Sequence, residues 1–129
     1  MGIAILHHLD LDLAAREVLR VLKPGGIAVF QEPVRNSRLL RWVRSRIPYR
    51  SADVSDYERP LTDAELRRFA SGFRDYQARA FSLPFINLAN VVPLLQPHIM
   101  RLYRVDGAIL RRVRFLDAFA GIRVACMIK

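Results

Sequence analysis

Continuous apolar runs alternate with amphipathic stretches in the first quarter of the chain. Residues 2–6 (GIAIL) are apolar without interruption, the pattern of a short strand buried on both faces of a parallel sheet. Over residues 10–22 the positions Leu11, Ala15, Val18 and Leu22 fall on one helical face. Arg16, Glu17 and Arg20 turn elsewhere, and Asp12 stands four residues ahead of Arg16, a spacing suited to an ion pair. Asp10 is the expected N-cap. Lys23-Pro24-Gly25-Gly26 stops the helix with a cation near its negative end, a residue that cannot continue it, and glycines that tolerate positive φ. Residues 27–30 form a second apolar strand, so the order strand, helix, glycine turn, strand predicts a βαβ unit with parallel strands and a right-handed crossover.

Glu32-Pro33 closes that unit. Residues 35–50 then carry Arg35, Arg38, Arg41, Arg44, Arg46 and Arg50 with no acid, around a helical stripe of Leu39, Leu40, Val43 and Ile47 and a single Trp42. Residues 53–65 carry five acids against Arg59 alone, so the two segments have the charges to neutralise one another. Leu61-Thr62-Asp63-Ala64-Glu65-Leu66 is the sharpest local signal. Thr62 and Glu65 fit a capping box and Leu61 and Leu66 a hydrophobic staple, which starts a helix at Asp63 with Leu66, Phe69, Ala70 and Phe73 as its buried face. Gly72 marks the end of that helix. A strand over residues 76–83, a helical insert punctuated by Pro84, Pro93 and Pro97, and a final strand over about residues 120–127 complete the order.

With 129 residues, the chain has enough surface to bury for one core but not for two independent ones. A formal charge of +9 would attract phosphate, anionic lipid or acidic partners. All of the 21 cations except Lys23 and Lys129 are arginine, a compositional habit rather than a binding surface, and nucleic acid is not expected as a partner. The single cysteine, Cys126, excludes an internal disulfide and sits in an apolar run as a small core residue. No apolar stretch is long enough to span a bilayer, and the run at residues 2–6 is too short for a signal peptide, so the expected location is cytoplasmic.

Ile5-Leu6-His7-His8-Leu9, the helix ending Arg20-Val21-Leu22-Lys23-Pro24-Gly25-Gly26, and the strand running into Glu32-Pro33 form one continuous pattern. It resembles the carboxyl-terminal portion of a class I S-adenosylmethionine-dependent methyltransferase of the type 11/12 kind, closely over residues 3–33. The later Leu-Thr-Asp-Ala-Glu-Leu helix is similar to the last helix of that family. The resemblance implies an α/β fold: a partial doubly wound, Rossmann-like methyltransferase sheet (strands four to seven of the family) whose last strand pair is antiparallel, with a helical insert. The chain then divides into a βαβ core at 1–33, a basic then acidic cover segment at 34–60, a helix and strand at 61–83, the insert at 84–117 and a final strand at 118–129. The family's Gly-rich cofactor loop and the acid ending its second strand have no counterpart here, so the chain is expected to be a single partial domain, inactive alone.

The resemblance implies methyl transfer from S-adenosylmethionine to a small, hydrophobic acceptor, with no metal. It places His7 and His8 beside the transfer centre, where imidazole would act as general base or orient an acceptor; holding the turn is the competing role for each. Ala4, Ile5 and Leu6 at the strand end would border the cofactor. Glu32 on the adjacent rim would bond substrate or, in preference, pair with Arg35. Arg35, Trp42, His98 and Tyr103 are placed around the acceptor pocket by position alone. Two further partners stay open: an anionic membrane surface for the basic helix, and a second molecule at the exposed first strand, the latter as a noncatalytic half-domain.

Overall fold

The computed structural model describes residues 1–38, 42, 46, 59–83 and 93–129. They build an α/β fold around a mixed four-stranded sheet of order β1-β2-β4-β3, with β1 Gly2–Ile3, β2 Ile27–Pro33, β3 Asp75–Phe81 and β4 Ile122–Ile128. β1 is parallel to β2, while β4 lies antiparallel to both β2 and β3. The expected antiparallel final strand pair is present. α1 (Leu11–Val21) connects β1 to β2, α2 (Asp63–Phe69) precedes β3, and α3 (Ile99–Arg112) packs against β3 between two 3-10 segments, Pro93–His98 and Arg114–Phe119.

Local chemistry fixes both early helices. The Asp10 carboxylate caps α1 by accepting from the Asp12 and Leu13 amides, and the Thr62–Glu65 capping box is complete at α2. The staple residues Leu61 and Leu66 are both buried. Leu66, Phe69, Ala70 and Phe73 join Ala28, Phe30, Ala125 and Met127 in one core, against which α1 lays Leu11, Ala15, Val18, Leu19 and Leu22. Phe30 meets Phe69 edge to face at 5.5 Å between ring centres. Gly25 adopts φ +74°, and around it Gly25 N–H donates to the Lys129 carbonyl and Lys129 N–H to that of Gly26. The cation on the carbonyl end of α1 is Lys129, whose ammonium donates to the Leu19 and Leu22 carbonyls.

Three expectations need correction. The first strand does not run through residues 2–6 and is not buried on both faces: it stops at Ile3, which is 58% exposed. Ala4 turns into the left-handed region at φ +50°, and Leu6–His8 coil into a 3-10 turn whose entry, the amides of Ile5 and Leu6, is held by a side chain of β2. Asp12 bonds Arg68 of α2 rather than Arg16, tying the two helices together. Cys126 is half-buried, on the sheet face opposite Arg123, Ala125 and Met127, because β4 alternates. Most of the basic stretch at 35–50, where a helical stripe is expected, most of the acidic stretch after it, and the start of the insert lie outside the described residues.

Candidate functional site

β2 alternates so that Ala28, Phe30 and Glu32 share its buried face, and this carries a carboxylate into a position that is 1% exposed. A buried carboxylate requires donors, and among the described residues it has three. Glu32 Oε1 accepts from the Ile5 amide at 2.9 Å and the Leu6 amide at 2.8 Å, and Oε2 lies 2.9 Å from His7 Nδ1. The left-handed Ala4 is what turns successive amides toward one oxygen. Its strain, about 1–2 kcal/mol, is offset by charge-assisted bonds of about 1.5–3 kcal/mol each. With Nδ1–H donating to Glu32, the His7 imidazole keeps Nε2 as its acceptor and base. The His7 side chain is 12% exposed, and the ring of exposed His8 lies 4.0 Å away.

His7 lines a cleft of about 350 Å³ where the chain leaves β1. The turn, the first residues of α1 and residues 59–68 enclose it, with Leu6, Leu9, Leu11 and Leu61 as its apolar surface. Leu61 is held beside the end of β2, its amide donating to the Pro33 carbonyl and its own carbonyl accepting from Arg35 N–H. The charged rim is paired: Arg59 with Glu65 at 2.6 Å and Arg68 with Asp12. Burial raises the Glu65 carboxyl, but the Thr62 amide and hydroxyl and the Arg59 guanidinium outweigh it and hold it below the ordinary glutamate value. A volume of this order suits a small molecule, and a basic imidazole beside apolar walls suits one whose hydroxyl or amine must lose a proton.

A second polar cluster stands across the ladder. Arg123 is directly opposite Glu32 in the β2–β4 register, yet its buried guanidinium turns to Asp63, Nε and Nη2 donating to the two carboxylate oxygens at 2.8 and 2.9 Å. Nη2 also donates to the Asp117 carbonyl. Burial by itself raises the Asp63 carboxyl; the hydrogen bonds and charge of Arg123 prevail and hold it below the usual aspartate value. The Asp63 amide donates to Asn36 Oδ1, fixing the chain after β2 to the start of α2.

The structure brings His7 and Glu32 together and joins them to Ile5 and Leu6 through the backbone. Glu32 pairs with His7, correcting the expected ion pair with Arg35; Arg35 Nε is buried without a hydrogen-bond partner among the described residues. Neither Arg35, Trp42, His98 nor Tyr103 lines the cleft. Trp42 is 57% exposed with the Arg46 guanidinium over its ring, and His98 and Tyr103 are exposed on the segment that packs against β3. The strand-end amides are all engaged, Ala4 N–H by the Gln31 carbonyl and those of Ile5 and Leu6 by Glu32. Asp12, Arg59, Arg68 and the Arg123–Asp63 pair are absent from the expected site. One signal was available: Glu32 and Arg123 fall in step with buried apolar positions two residues apart along their strands. Among the described residues there is no cluster of His, Cys, Asp and Glu able to hold a metal ion, and no helix long and apolar enough to cross a membrane.

Compared with protein-family models, curated proteins and solved structures, the chain matches none.

Proposed function

We propose that the chain is the acceptor-side portion of a class I S-adenosylmethionine-dependent methyltransferase, in which His7 serves as the base for a small acceptor. The observation that carries this is the Glu32–His7 pair, whose imidazole lines the cleft: a fully buried carboxylate orients a nearly buried ring and leaves its second nitrogen as an acceptor. The parallel β1 and β2 around α1, the Lys23-to-Gly26 turn and the antiparallel final pair support the family assignment. The residues here do not fit the methyl donor by themselves. The amides of Ala4, Ile5 and Leu6 are spent within the protein, and the chain has no Gly-rich loop for the donor's amino acid end.

His7 Nε2 would take the proton of an acceptor hydroxyl or amine while Glu32 holds Nδ1–H and stabilises the imidazolium. Leu6, Leu9, Leu11 and Leu61 would pack the acceptor's apolar body. The test is methyl transfer to a panel of small acceptors by the 129-residue chain and by the reading frame extended upstream of Met1. Transfer is expected only from the extended chain, with His7→Ala lowering the rate while S-adenosylmethionine binding persists. An upstream frame without a Gly-rich strand-loop-helix refutes the assignment, and micromolar S-adenosylmethionine binding by the 129-residue chain, measured calorimetrically, refutes its incompleteness.

A second reading is a noncatalytic half-domain that associates through β1. Among the described residues β1 has a strand partner on one side only, and Ile3, Ile5 and Leu9 beside it are 58%, 44% and 48% exposed. A clean monomer in size-exclusion chromatography with light scattering counts against it.

A further inference from the structure

α3 presents an unusual outer surface. Its inner side is set by buried Asp106 and Leu110, so Met100, Arg104, Ala108 and Arg111 on one row and Arg101, Val105 and Arg112 on the next face outward, as their exposure shows. Arginines thus form a ladder along about 20 Å of helix. Apolar side chains flank this ladder: Met100 is 66% and Val105 53% exposed, and beyond the helix ends Leu94 is 82% and Phe115 73% exposed, with Arg114 alongside.

Among the described residues no acid offsets the ladder on that side. Asp106, the one acid of α3, is 3% exposed and accepts from the Leu83 amide, and Asp117 on the following turn is half-buried. Arginine alone would suit any polyanion. Large apolar side chains left more than half exposed among the arginines gain nothing from a phosphate backbone, but gain by entering the headgroup and acyl boundary of a bilayer. We infer that the outer face of α3, with Leu94 and Phe115 at its ends, docks on an anionic lipid surface, the arginines bonding headgroup phosphates and the apolar side chains entering between them. This places membrane contact on a different segment from the basic stretch at 35–50, and it holds whether or not the His7 cleft performs methyl transfer.

The test is co-sedimentation of the full chain with vesicles of phosphatidylcholine alone and of phosphatidylcholine mixed with phosphatidylglycerol, at low and high salt. Binding to the mixed vesicles only, weakened by salt, is expected. An arginine near an anionic surface is worth roughly fivefold in partition, so Arg104→Glu with Arg111→Glu lowers binding by at least roughly 25-fold. Phe115→Ser lowers it several-fold at constant charge. These positions are exposed, and unchanged melting of each variant confirms that the fold is intact. No binding to the mixed vesicles, or binding that Phe115→Ser leaves unchanged, overturns the proposal. Tighter retention on duplex DNA than on the mixed vesicles at the same salt also overturns it, assigning the ladder to nucleic-acid phosphates.

Discussion

Truncating Glu32 to alanine removes one side chain and strands three donors. The Leu6 amide is buried and would bear the full cost of an unmet hydrogen bond, about 1–3 kcal/mol. The Ile5 amide and His7 Nδ1 are partly buried and bear less. The strain of Ala4 remains without the bonds that offset it. Together these give a loss of about 3–5 kcal/mol, a large share of the about 5–15 kcal/mol typical of a whole domain. Glu32→Gln behaves differently. Its amide oxygen can still accept from Ile5 and Leu6, but its NH2 now faces His7 Nδ1 and forces the proton to Nε2. The expected stability loss is only about 1 kcal/mol, while Nε2 ceases to be the acceptor nitrogen of His7. Denaturant unfolding followed by circular dichroism measures the first effect, and nitrogen-15 imidazole shifts of His7 read the second. An alanine variant within about 1 kcal/mol of the parent, or a glutamine variant with an unchanged His7 tautomer, refutes the assigned role of Glu32.

Thr62→Ala removes one half of the capping box and is expected to cost about 1 kcal/mol by denaturant midpoint, with Thr62→Ser close to neutral. Asp63→Ala leaves the Arg123 guanidinium buried without its carboxylate and is expected to cost about 3–5 kcal/mol. Because the folded protein holds the Asp63 carboxyl below its unfolded value, the stability it contributes is complete above an unfolded value of about 4 and is lost as pH falls through the lower folded value. Acid unfolding should therefore lose this component in Asp63→Asn. Lys129→Met takes the ammonium from the Leu19 and Leu22 carbonyls and is expected to cost about 0.5–1 kcal/mol, read as a lower melting temperature with an unchanged β-sheet spectrum.

What the sequence made legible is local in origin. Asp10, the Thr62–Glu65 box and the Leu61–Leu66 staple act within five residues, and the helices they predict are where they were expected. The site was readable only in part because its contacts are distant. Alanine has no preference for φ +50°, so nothing at Ala4 announces that the strand stops there; the cause is Glu32, 26 positions from the Leu6 amide it holds. Arg35 was the nearest cation to Glu32 in sequence, but the pleat sends Glu32 inward toward the turn after β1. Arg123 and Asp63 meet across 60 positions. His98 and Tyr103 were placed by order along the chain, and the sheet order carries their helix to β3, at the edge away from β1.

β4 is the last strand in sequence but an interior one in the sheet, so β2 and β3 are not joined until residues 122–128 arrive between them. About forty residues separate the end of β3 from the start of β4, roughly two to eight seconds of ribosomal synthesis at about 5–20 residues per second. During that interval two strand edges stand open on a nascent chain that already holds most of its apolar core residues. The demand for chaperone protection is therefore set by the translation time between residues 81 and 122, and slow codons placed there would lengthen it without altering a single contact of the native sheet.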